Sequence, residues 1–279
     1  MTTKHNIALC LFNIGKYYEA LKISAFVDKI QTETLGIYHP NTIITKHSIA
    51  LCLYNMENYN KASEVYYSVN KIQTELLGIN HPDTIRTKHN IALCLYNMGK
   101  YNKALEIYSS VDKIENNILG INQPDSMTTK HIIAICLYNM GKYNDALEIY
   151  YSVDKTQTEI LGINHPSVMT TKNNIALCLN NIGKYKEALE IYNYVDKIQI
   201  NILGMNHPNT MTTQNNIATC LNNIGKFNEA LEIYYSVNKR QTEILGINHP
   251  NTTTTKNNIS FCLNNMINFK RSFRNSLLY

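Results

Sequence analysis

The chain has 279 residues, a formal charge of +5, seven cysteines and no tryptophan. An odd thiol count excludes a fully paired disulfide framework, and no apolar run approaches the roughly 18 residues a membrane helix needs. Lys270, Arg271 and Arg274 supply three of the positive charges, and the other lysines recur along the chain instead of clustering, which reads as a solvated surface and speaks against nucleic-acid binding.

The cysteines fall at Cys10, Cys52, Cys94, Cys136, Cys178, Cys220 and Cys262, each 42 residues after the last. The prolines from Pro40 to Pro250 and six glycines from Gly36 to Gly246 keep that step. A strict period without insertions means a repeat array. The expectation is one solenoid over 1–279, built from seven repeats of 42 residues with the last, 254–279, truncated. Equivalent positions in stacked helices lie roughly 10 Å apart, whereas a disulfide needs Cα atoms about 4.4–6.8 Å apart. The thiols are therefore expected to be reduced and the protein intracellular, in the cytoplasm. The opening MTTKHNIALC is already repeat sequence and carries no signal-peptide pattern.

The third repeat shows the unit. Ile91, Cys94, Leu95 and Met98 stand at offsets 3, 4 and 7, one face of a helix A. Gly99 ends it in the left-handed conformation common at helix C-termini. Tyr101, Ala104, Leu105, Tyr108, Val111 and Ile114 continue at helical spacing to Ile118 and Leu119, forming helix B, which Gly120 stops. The link INHP, INQP in one repeat, is a turn, and Asp83, Ser167 and Asn209 after the proline are candidate helix N-caps. The alanines at Ala8 and Ala20, repeated every 42 residues up to Ala218 and Ala230, mark close helix approaches. Tyr66, Tyr108, Tyr150, Tyr192 and Tyr234 fill the space between hairpins, each burial stabilising by about 1.5–3 kcal/mol. In the final repeat Ile267 replaces the glycine, and Ser260 and Ser272 replace the alanines. That terminal hairpin is expected to stop partway through helix B and to leave Phe269, Phe273, Leu277 and Leu278 partly exposed. Self-association through this end and a simple truncation are both open.

The run Ala8, Gly15, Tyr17, Ala20 and the aromatic at Tyr66 resembles the tetratricopeptide repeat (TPR). Lys4 and its equivalents stand where that family usually has tryptophan. The 42-residue period, the ending LGINHP and the stretch NNIALCLNNIGKYKEALEIY look like the kinesin-light-chain subclass. The resemblance implies an all-α, right-handed superhelical solenoid and a protein- or peptide-binding scaffold. A kinesin light chain also has a long heptad segment for its motor. Here the repeats begin at residue 2, so the expectation is a cargo-adaptor-like module without motor attachment. Chaperone-binding TPRs hold a terminal carboxylate with Lys and Arg on helix A; His, Asn and Thr mostly occupy those places here, with Arg86 the sole arginine, and that binding is not expected.

Helix A lines the inner surface of such solenoids. Its stripe beside the core, Thr2, His5, Asn6, Leu9, Phe12 and Asn13, is then left to face the groove at about 100° per residue. Asn13 recurs as Asn55, Asn97, Asn139, Asn181, Asn223 and Asn265. An amide both donates and accepts, so this ladder suits an extended peptide backbone; equally, it suits capping of helix A. Repeats one to four present His5, His47, His89 and His131 with Phe12, Tyr54, Tyr96 and Tyr138, whereas repeats five to seven present Asn173, Asn215 and Asn257 with Asn180, Asn222 and Asn264. One reading gives the aromatic half side-chain pockets and the amide half a backbone grip; the other is drift among duplicated repeats. A competing function is a spacer binding through convex or end surfaces.

Catalysis and cofactors are not expected. Groove histidines one repeat apart cannot share a zinc with bonds of about 2.0–2.1 Å. His131 and Cys136 stand about 140° apart around their helix, so no nucleophile–base pair forms. The loop histidines His39, His81, His165, His207 and His249 precede proline, and Gln123 replaces one. They are expected to hydrogen-bond the turn.

Overall fold

The computed structural model describes residues 2–118 and 124–276. Leu119, Gly120, Gln123, Leu277 and Leu278 lie outside the described residues. Among the described residues there are thirteen helices and no strand. They fall into two compact bodies, 1–141 and 142–279.

The first body runs α1 (Thr2–Asn13), α2 (Tyr17–Leu35), α3 (Pro40–Asn55), α4 (Tyr59–Leu77), α5 (Pro82–Asn97), α6 (Tyr101–Ile118) and α7 (Pro124–Asn139). The second runs α8 (Tyr143–Leu161), α9 (Pro166–Asn181), α10 (Tyr185–Leu203), α11 (Pro208–Ile224), α12 (Phe227–Leu245) and α13 (Pro250–Ser276). Odd-numbered helices are helix A and even-numbered ones helix B. Within each body every helix packs on its chain neighbours, the nearest-neighbour arrangement of a helical-hairpin solenoid.

The core follows the predicted stripes. Ile91, Ala92, Cys94 and Leu95 of α5 are buried, as are Ala104, Tyr108 and Val111 of α6. The repeated alanines from Ala20 to Ala230 are wholly inaccessible, as close helix approach requires. Two expectations need correcting. Cys10 is exposed, with Ile7 and Ile14, because among the described residues no hairpin packs on this face of α1. Ile118 is also exposed because it borders an open cavity. On helix B the 4–3–4 spacing of the core stripe runs from Ala104 through Tyr108 and Val111 to Glu115, which is buried.

The A–B turn is a Schellman motif. In the third repeat the Lys100 amide donates to the Leu95 carbonyl at 2.9 Å and the Gly99 amide to the Tyr96 carbonyl at 2.9 Å. Gly99 takes φ +71°. Glu57 stands at the same place in the second repeat, with φ +59° and the same pair of bonds from Asn58 and Glu57. The B–A turn differs from the expectation. Proline is the first helical residue, and the histidine before it is the N-cap. Nδ1 of His39, His81, His165, His207 and His249 accepts the amide two residues on, at 3.1–3.2 Å. Asp83, Ser167 and Asn209 therefore supply that amide and are not the caps. Proline has no N–H of its own to satisfy there and its fixed φ suits the first helical turn.

The last repeat is not a hairpin. Ile267, a β-branched residue that resists the positive φ which Glu57 adopts, stands at the turn position, and helices A and B run on as the single 27-residue α13. Phe261, Ile267 and Phe269 are exposed along it, and the Phe269 ring lies 5.7 Å from that of Phe227.

Candidate functional site

The asparagine ladder lies at the C-terminal end of each helix A. Its Nδ2 donates inward to the carbonyl four residues back: Asn55 to Leu51 at 2.8 Å, Asn97 to Leu93 at 3.0 Å, Asn139 to Ile135 at 2.9 Å and Asn181 to Leu177 at 2.8 Å. It also reaches the preceding repeat. Asn97 donates to the Tyr54 hydroxyl at 2.9 Å and Asn139 to the Tyr96 hydroxyl at 3.0 Å. In the second body Asn223 donates to Asn180 Oδ1 at 3.1 Å and Asn265 to Asn222 Oδ1 at 3.3 Å. At Asn97 and Asn139 both amide hydrogens are thus engaged within the protein, leaving Oδ1 as the acceptor on offer.

The same kind of bond stacks the aromatic stripe within the first body and the amide stripe within the second. A tyrosine hydroxyl and an asparagine carbonyl both accept from the next repeat's asparagine. What changes is the ring. Tyr54 and Tyr96 stand half-buried against Tyr59 and Tyr101, with centroids 5.3 and 5.4 Å apart. Burial raises both tyrosine pKa values, opposed by the asparagine bond. Asn222, placed in the groove from sequence, is buried.

The histidine and asparagine positions two turns earlier lead to a network that sequence reading missed. In every helix A from α3 onward a buried threonine donates to a helix-B side chain fourteen residues back. The glutamine pairs are Thr45–Gln31, Thr87–Gln73, Thr171–Gln157, Thr213–Gln199 and Thr255–Gln241, all at 2.7–2.8 Å. Asn173 and Asn215 donate to Thr213 and Thr255 of the next repeat at 3.0 and 2.8 Å. The signal was present in the sequence as glutamines and threonines on the same 42-residue comb. It was passed over because polar residues on a helix normally mark its wet face.

The third repeat breaks this comb. Glu115 replaces the glutamine; its Oε2 accepts from Thr129 at 2.7 Å and its Oε1 lies 3.0 Å from His89 Nε2. His47 packs edge-on against Tyr66 at 5.1 Å, with its Nε2 3.1 Å from Asn90 Nδ2. Burial lowers the pKa of His47, Arg86 adds to this and Asp83 opposes it. His131 is lowered by burial. Burial also holds the core thiols up, Cys94, Cys136 and Cys220 to about 11 and Cys178 to about 12.

Three cavities open along the stripe. One of about 500 Å³ is bordered by α5, α6 and Thr128 of α7, and includes His89. A smaller one of about 100 Å³ involves His5, Leu9, Phe12 and Asn13. In the second body one of about 340 Å³ is lined by Asn173, Leu177, Gln199 and Thr212. Among the described residues no group of three or more His, Cys, Asp or Glu side chains is placed to hold a metal, and no helix is long and apolar enough to cross a membrane.

Sequence models of the tetratricopeptide repeat match residues 1–69, 45–111, 125–193 and 210–251. A search of the curated proteins returns no match. Among solved structures, a kinesin light chain protein of Podosopora anserina with nearly identical TPR-like repeats is 25% identical, with a TM-score of 0.65 over 74% of this chain and 97% of that one. BtubC (BKLC) from P. vanneervenii is 17% identical, with a TM-score of 0.64 over 85% of this chain and 92% of that one. The apo form of RapI is 12% identical, with a TM-score of 0.66 over 97% of this chain and 98% of that one. The last two likenesses speak to the fold alone.

Proposed function

Because the chain belongs to the tetratricopeptide repeat family, with repeats of the kinesin light chain type, we propose that it is a protein–protein interaction scaffold whose helix-A stripe holds an extended peptide or a partner helix. The observation that supports the groove reading is that cavities border this stripe in both bodies, touching His5, Leu9, Phe12 and Asn13 in one, His89 in a second and Asn173, Asn174 and Leu177 in a third.

The asparagine Oδ1 atoms act as acceptors for backbone N–H groups of the ligand. Helices pack roughly 8–10 Å apart, and an extended chain advances about 3.3 Å per residue. One repeat therefore matches about three ligand residues, and since the N–H groups of an extended chain alternate with a period of two, an N–H returns to the same side every second repeat. Next to this ladder the half-buried tyrosine rings give the first body apolar contact area.

The test uses the full chain and a partner captured from its native host. Tyr54→Asn with Tyr96→Asn removes the rings and keeps the acceptors, as Asn180 and Asn222 do naturally. Asn55, Asn97 and Asn139 changed to Ala remove the ladder. With the helical circular dichroism unchanged, partner capture is expected to weaken in both variants. Undiminished capture by the ladder variant would move the binding surface to the convex face or the ends.

A further inference from the structure

The largest of the three cavities coincides with the one place where the buried comb changes charge. We infer that it is a receptor for a single cationic side chain, arginine or lysine, of the bound peptide; this rests on the groove reading and names what one part of the groove selects. Five repeats bridge helices with a neutral glutamine, and the third uses Glu115. The threonine bond is the same in both cases, 2.7–2.8 Å to glutamine and 2.7 Å to Glu115. The stack therefore has no need of the negative charge, and burying a carboxylate is costly unless it is paired and hydrogen-bonded.

The surroundings fit an incoming cation. A carboxylate has about four acceptor positions; Thr129 and His89 take one each. Pro82, Ile85 and Ile118 line the cavity and suit the methylene stem of a long basic side chain. Arg86 also lines it, but its guanidinium is held by Asp83 at 2.7 Å. The volume of about 500 Å³ accommodates such a side chain with room for water. The cavity of the second body, with Gln199, Asn173 and Asn209 in place of a carboxylate, serves as the neutral comparison within the same chain.

The experiment titrates the full chain with n-butylguanidinium and with its neutral analogue n-butylurea, read by saturation-transfer NMR. The wild type is expected to prefer the cation, and Glu115→Gln to weaken cation binding at least ten-fold with no effect on butylurea. That substitution restores the residue of the other five repeats, so it keeps the Thr129 bond and the fold, which thermal unfolding checks. Equal cation binding by wild type and Glu115→Gln, or no preference for cation over urea, overturns the inference while leaving the groove reading standing. Retained partner capture by the asparagine-ladder variant removes the groove reading irrespective of the cation titration.

Discussion

Thr213→Val is the sharpest test of the buried comb. Valine keeps the shape of threonine, so no cavity forms and the change is confined to hydrogen bonds. Thr213 is wholly inaccessible and Gln199 nearly so. The hydroxyl donates to Gln199 Oε1 at 2.8 Å and accepts from Asn173 Nδ2 at 3.0 Å. Its loss strands the Gln199 carbonyl in the interior, where an unmet acceptor costs about 1–3 kcal/mol, and frees the part-buried Asn173 amide. A destabilisation of about 2 kcal/mol is expected, measured as the shift in urea midpoint by far-UV circular dichroism. Adding Gln199→Met removes the stranded group. The double variant is expected to recover at least half of the loss, since replacing both partners by apolar groups of similar shape is close to neutral. A single variant within about 0.3 kcal/mol of wild type, well below the range for a stranded group, would falsify the assignment. So would a double variant whose loss equals the sum of the two singles, because contacting residues should couple.

Three further outcomes follow from local geometry. Glu57 occupies a left-handed turn position at φ +59°, so Glu57→Gly is expected to raise stability by roughly 1 kcal/mol, seen as a higher Tm; an unchanged or lower Tm contradicts this. Burial lowers His47 and His131 below the ordinary imidazole value of 6.5, so the unfolded chain binds protons first on acidification. Their contribution is complete above about pH 6.5 and is lost as pH falls toward their folded values. Urea midpoints from pH 7.5 to 5 should show the loss, and His47→Gln with His131→Gln should reduce it. Finally, the core thiols are buried and pushed up to about 11–12 in Cys94, Cys136, Cys178 and Cys220, while Cys10 is exposed. Iodoacetamide at pH 8 is expected to label Cys10 first, as peptide mapping would show; early labelling of Cys94 or Cys178 would contradict the packing.

The sequence by itself determined the repeat, its period, the two helices of each hairpin and most of the core. These depend on local spacing: apolar residues three and four apart, glycine where the chain turns left-handed, proline where a helix begins. The same comb marked the asparagine ladder and the tyrosines beside it, because periodic recurrence is visible without coordinates. Tertiary structure decided what those residues touch. Whether an amide faces a ligand or the preceding repeat depends on a neighbour 43 residues away, and Asn97 and Asn223 proved to bind that neighbour. The threonine–glutamine comb was hidden for the same reason, since a polar side chain is suited to the interior only when its partner is known. Stacking also exposed Cys10, identical in local sequence to buried Cys52 and Cys94, because burial belongs to the pair of repeats and not to either one. Glu115 shows the division most plainly: one substituted letter in the sequence, it becomes a buried charge beside a cavity only once α5, α6 and α7 are packed.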